Sequence, residues 1–89
     1  MKYTCPCCGY KTFDNKPPGT YEICTICFWE DDKVQFENPD FSRATNDLSL
    51  KEAQRNFLKI GASNKRFLQY VRKPTEKDKK DPNWSILTK

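Results

Sequence analysis

Histidine is missing altogether from the 89 residues, and that absence removes a large share of enzyme chemistry. Without an imidazole there is no Cys–His nucleophile pair and no histidine general base. Long apolar runs are missing too: nothing approaches the roughly 18 consecutive apolar residues that span a bilayer. The opening ten residues, "MKYTCPCCGY", hold no apolar segment of the secretory kind. A cytoplasmic location without membrane association is therefore expected. With apolar residues at 36% of so short a chain, the buried core is marginal and a metal or disulfide staple is expected to support it. One domain over residues 1–89 is the expectation.

Against these absences stands cysteine, with five residues, all of them within residues 1–32. An odd count leaves a fully paired disulfide framework with one thiol over, and clustered cysteines in a reducing compartment bind metal more readily than they pair. Cys5 and Cys8 form one C-x-x-C pair and Cys24 and Cys27 a second, with fifteen residues between the pairs. Two cysteines three apart in a tight turn can point both sulfurs at one ion, and two such turns complete a tetrahedron. In the run "CPCCGY", choosing Cys5 with Cys8 makes the pattern C-P-x-C-G, in which Gly9 is free to take positive φ after the second ligand. Adjacent Cys7 and Cys8 project in different directions, so Cys7 is left over, either to pack, to face solvent or to act as a reactive thiol. Zinc is the expected occupant of four thiolates, and iron fits the same geometry. The turn "CPCCGY" resembles a rubredoxin knuckle, but the second turn ends in Phe28 where that pattern has glycine, and the interval between the pairs is short for it. Four cysteines also close a zinc site, whereas catalytic zinc keeps an open position, so no enzyme activity is expected.

Around the cysteines, "KYTC", "YKTF" and "YEIC" read as short β stretches of a zinc-ribbon-like part, residues 1–32. Pro18 and Gly19 fit a type II turn that brings "YEIC" back alongside "YKTF". Residues 33–47 contain Pro39 and no periodicity, and read as a loop packed down by Phe36 and Phe41. The helical part, 48–73, opens with the capping box Ser49–Glu52 and an apolar stripe of Leu50, Ala53, Phe57 and Ile60, with Gly61 as the stop. A second short helix is expected around "NKRFLQYVR", ended by Pro74. Residues 74–89 form a charged C-terminal segment whose Trp84, Ile86 and Leu87 are placed to fold back and dock. The fold class is thus α+β, with knuckled β hairpins covered by one or two short helices.

The formal charge of +4 hides an asymmetry. Residues 1–50 hold five basic and eight acidic side chains and residues 51–89 eleven and four, so the halves carry −3 and +7. Directly after the second pair, "FWEDD" offers an aromatic pair and Glu30, Asp31 and Asp32, read either as a face for a cation or a basic partner or as a solvated acidic turn. In the basic half, Lys65, Arg66, Arg72, Lys73, Lys77, Lys79 and Lys80 can track phosphates, although Glu76, Asp78 and Asp81 interrupt them.

Three runs together, "CPCCGY", "PPGTYEICTICFWEDD" and "SLKEAQRNFLKIGA", resemble the bacterial cysteine-rich CPCC proteins. They cover residues 5 to 62 with gaps. The resemblance implies a small bacterial or prophage-borne cytoplasmic protein that binds zinc through Cys5, Cys8, Cys24 and Cys27, and it implies no established activity. Thr25 stands where that family usually has proline, and "RATN" replaces a more glycine-rich turn; neither change removes a ligand. Three functional readings follow: a non-catalytic protein-interaction or accessory module using the "FWEDD" face, a nucleic-acid-binding ribbon using the basic half, and a rubredoxin-like iron electron carrier. No motif specifies the partner or the oligomeric state.

Overall fold

The computed structural model describes residues 2–87. Two antiparallel strands, β1 (Tyr3–Thr4) and β2 (Lys11–Phe13), flank the first cysteine turn. Tyr3 pairs with Phe13 and Thr4 with Lys11, with a register shift between Tyr3 and Thr4. Two helices follow, α1 (Lys33–Glu37) and α2 (Leu50–Ile60), and then a 3₁₀ turn over Lys65–Phe67. The architecture is α+β, with a two-stranded hairpin, two helices and the cysteines gathered between them.

Five cysteines make up half of the ten residues of the central cluster, the others being Phe13, Ile26, Trp29, Leu50 and Ala53. The sulfur cluster is therefore the core itself, and the apolar side chains form its wall. Helix α2 closes one side of it. Ser49 accepts from the Glu52 amide at 3.2 Å while the Glu52 carboxylate accepts from the Ser49 amide at 3.0 Å, and Gly61 ends the helix with φ +78°. Such a cap contributes about 1 kcal/mol. Gln54, buried on the inner face, donates to the Pro6 carbonyl at 2.9 Å and accepts from the Leu87 amide at 2.7 Å. One side chain thus ties the helix to the first knuckle and to the end of the chain.

Three local expectations need correction. "YEIC" does not pair with "YKTF"; it makes its own hairpin with Trp29–Asp31, through the Ile23–Glu30 bridge and the bonds Tyr21 N to Asp31 O at 3.1 Å and Asp31 N to Glu22 O at 2.9 Å. The neighbouring edge is taken by the C-terminal segment, where Lys11 N donates to Lys79 O and Asp81 N to Gly9 O, both at 2.8 Å. Side chains alone reach across: the Glu22 carboxylate accepts from the amides of Asp14 and Asn15, and Thr12 Oγ1 donates to Cys24 Sγ. Residues 33–47 are not simply loop, because Asp32 accepts from the Gln35 amide at 3.0 Å and caps the single turn of α1. Phe36 and Phe41 do not pack this segment down, being 40% and 43% exposed. Fully buried Gln35 does so, its amide nitrogen lying 3.0–3.1 Å from the carbonyls of Phe41, Asn46 and Leu48. A polar plug replaces an apolar one because the loop's inward carbonyls need donors.

The second helix contracts to the 3₁₀ turn Lys65–Phe67, capped by Asn64. A further turn, closed by Tyr70 N donating to Phe67 O at 2.8 Å, follows it, and Phe67 and Tyr70 both reach Phe28, at 5.0 and 5.2 Å between ring centroids. Of the charged segment over 74–89, residues 88 and 89 lie outside the described part. Of the residues expected to dock, Trp84 lies on Gly9 and Leu87 packs against the cluster, and Ile86 is half-buried.

Candidate metal centre

The two cysteine turns are built alike. In the first, Gly9 N donates to Cys5 O and Cys5 N to Tyr10 O; in the second, Phe28 N donates to Cys24 O and Cys24 N to Trp29 O, all four at 2.9 Å. Cysteines three apart then share one side of the turn. The geometry demands positive φ just after the second cysteine, and Gly9 has +81° and Phe28 +67°. Glycine adopts this region freely, whereas for phenylalanine it costs on the order of 1–3 kcal/mol. The contacts of the Phe28 ring with Phe67 and Tyr70 offset that cost. Gly9 is required for a second reason: a Cβ there would lie 2.6 Å from Trp84 Cδ2. Trp84 is held in place by its Nε1, which donates to the Pro6 carbonyl at 2.8 Å.

The turns bring the sulfurs of Cys5, Cys8, Cys24 and Cys27 within 4.8 Å of one another. The pairs joined across the two turns are Cys5–Cys27 at 3.6 Å and Cys8–Cys24 at 3.7 Å. A disulfide has an S–S distance near 2.05 Å, so these are free thiols. A tetrahedral ion with bonds of about 2.3 Å to sulfur has sulfur–sulfur edges of about 3.8 Å. The donor set therefore fits an ion, and these four cysteines, expected as ligands from their spacing alone, can hold one.

Electrostatics within the cage are lopsided. Burial pushes the Cys5 and Cys27 thiols well up, and their bonding to Cys24 adds to the rise. Cys24 goes strongly the other way, because Cys27, then Cys5 and Cys8, donate to its sulfur. Thr12 Oγ1 donates to the same sulfur at 3.2 Å and the Ile26 amide at 3.4 Å. Four cysteine sulfurs buried this close together are a site where a divalent cation gains by displacing protons. Cys7 takes no part in the cage; it is fully buried and burial raises its thiol, which fits packing rather than reactivity.

Other candidates fall differently from expectation. Two of the three acids of "FWEDD", Asp31 and Asp32, are neither an exposed face nor a solvated turn, while Glu30 is half-buried. Trp29 and Asp31 are buried, and Asp31 Oδ2 accepts from the amide and hydroxyl of Thr20 at 2.9 and 2.8 Å. Asp32 caps α1 and accepts from the Thr45 amide at 3.2 Å, while the Glu30 backbone is bracketed by Asn46. Asp31 and Asp32 satisfy backbone donors in loops that the hydrophobic pattern does not organise. The basic residues do not form one row either. Arg66 pairs with Asp47 and Arg72 with Asp78, and Lys80 lies over the rings of Tyr10 and Trp84 at 5.1 and 4.9 Å. Lys77 and Lys79 join Lys2, Lys11 and Arg72 around a cavity of about 650 Å³. Sequence reasoning missed Thr12 as a donor to sulfur and Gln54 as the inner tie, since neither belongs to a motif.

The cysteine-rich CPCC family matches residues 3–78. The chain belongs to this family. The match spans both knuckles, α1, α2 and the 3₁₀ turn, and stops short of Lys79–Leu87, the part of this family member that covers the first knuckle. No curated protein matches the chain. Among the described residues, no helix is long and apolar enough to cross a membrane.

Proposed function

We propose that the four-cysteine cage holds zinc as a structural ion, and that the protein is a non-catalytic cytoplasmic module that acts by binding another protein. The carrying observation is closure: all four sulfur residues are 0% exposed and sit at the centre of the core. A buried ion with four protein ligands has no position for water or substrate. Bound there, zinc supplies cross-linking, and its binding free energy, about 10 kcal/mol or more in small zinc peptides, becomes folding free energy. The rest of the chain is then free to serve as surface. Elemental analysis of natively isolated, reduced protein should give one zinc per chain. A coloured, iron-containing protein would replace this reading with electron transfer, and a folded, metal-free one would remove it.

A second reading has one observation in its favour, the cavity lined by Lys2, Lys11, Lys77 and Lys79 and by Arg72 paired with Asp78, with Asp81 also in its wall. Such a site suits phosphates of a nucleic acid. It ranks second because Thr12 and Thr25 of the same lining sit beside Cys24, so a dianionic zinc–thiolate cage lies behind it and offsets much of that charge. Absence of any gel shift in dilute buffer disposes of it.

A further inference from the structure

Between Ala53 and Thr75 the chain carries six basic residues and no acidic one. The same stretch holds four large apolar side chains that the fold leaves outside, Leu58, Ile60, Leu68 and Tyr70, at 57%, 41%, 46% and 57% exposure. Scattered exposed apolar residues are ordinary, but a concave group of them marks a contact site. Here a cavity of about 440 Å³ opens between the end of α2 and residues 68–74, lined by Phe57, Ile60, Leu68 and Val71 together with Arg72 and Lys73. Neither Ile60 nor Leu68 belongs to the central cluster. Arg66 and Arg72 are neutralised by Asp47 and Asp78, whereas among the described residues Lys59, Lys65 and Lys73 make no ion pair.

The occupant of such a groove must supply apolar side chains and negative charge together. Nucleic acid supplies the charge but binds by stacking its bases on free aromatic faces. Of the groove's lining only Phe57 is aromatic, and its ring is half-buried against the core and edge-on to Tyr10 at 6.5 Å, while the nearby Tyr70 ring has one face stacked on Phe28 with 22° between the planes. We infer that this groove is a docking site for an acidic segment of another protein, one that places apolar anchors against Phe57, Ile60, Leu68 and Val71 and a carboxylate near Lys73, the cation of its lining left unpaired among the described residues. The inference rests on the reading of the protein as an interaction module and names its surface and the chemistry of its partner.

The test uses the zinc-loaded full chain and a random linear peptide library selected on it. Enriched peptides are expected to combine Asp and Glu with Leu, Ile or Phe, and to shift the amide resonances of residues 57–74. Ile60→Asp or Leu68→Asp should weaken their binding by roughly tenfold or more, and Lys73→Glu by about two- to fivefold. Unchanged zinc content and a dispersed amide spectrum show that each variant is folded. Peptides that bind equally well to all three variants overturn the groove while leaving an interaction module that docks elsewhere. Failure to enrich any peptide sinks both readings. An enriched set without acidic residues, or oligothymidylate binding the same residues more tightly than the peptides, overturns the assignment of the partner.

Discussion

The two knuckles share a backbone and differ in how they hold it. After Cys8 the left-handed position is glycine, and the space that the missing side chain leaves is filled from outside by Trp84. After Cys27 the same position is phenylalanine, whose ring is caught by Phe67 and Tyr70. The first knuckle is thus strain-free and covered by a distant part of the chain; the second is strained and held by its own residue. One metal geometry therefore has two sequence solutions, and the second is visible only when the ring's partners are known. The glycine of C-x-x-C-G is therefore not necessary for a knuckle.

The largest expected effect tests what the knuckles share. Cys24→Ser removes the sulfur on which the other donors converge, and should abolish stoichiometric zinc binding. Loss of amide dispersion across both turns at once checks it, since about 10 kcal/mol of folding free energy leaves with the ion. Next is Gly9→Ala, which adds a strained φ and pushes a methyl into the Trp84 ring; about 2–4 kcal/mol of stability should be lost, measured by denaturant unfolding of zinc-loaded protein. At the second knuckle the order of two variants is diagnostic. Phe28→Ala keeps the strain and loses the ring contacts, while Phe28→Gly loses both, so alanine should be worse than glycine by about 1 kcal/mol. Equal losses would mean that Phe28 is not strained.

The smallest effect separates the covers. Thr4 Oγ1, the largest influence, donates to Asp81 at 2.7 Å and holds its carboxyl below the usual value, with the Asn83 amide adding to it. A group whose folded value is depressed stabilises above its unfolded value near 3.9, and that contribution is lost as pH falls through the lower folded value. Below about pH 4, the amide resonances of residues 79–84 should shift before those of Phe67 and Tyr70, whose contact with Phe28 is apolar. Simultaneous movement of both covers would show that they are not independent.

Much of the site was legible because ligand spacing is a local property. Cys5, Cys8, Cys24 and Cys27 follow from two short intervals, and the capping box of α2 follows from Ser49 and Glu52 because its bonds close within one turn. "FWEDD" misled for the converse reason. A run of acids looks solvated until the loops that need their oxygens are in place, and here Thr20, Gln35 and Thr45 supply the donors from eleven and three residues away and from the far end of the loop. Gln35 and Gln54 hold the interior through carbonyls separated from them by six to 48 positions, a distance no periodicity encodes.

By itself, then, the order of residues determined the chemistry of the cage, the ends of α2 and the division of charge, each being set by neighbours within a few positions. The tertiary structure alone decided which strands pair, that Asp31 and Asp32 turn inward, and that the C-terminal segment covers Gly9. Those outcomes depend on which buried donors and which empty volumes remain once the chain has closed around its sulfurs.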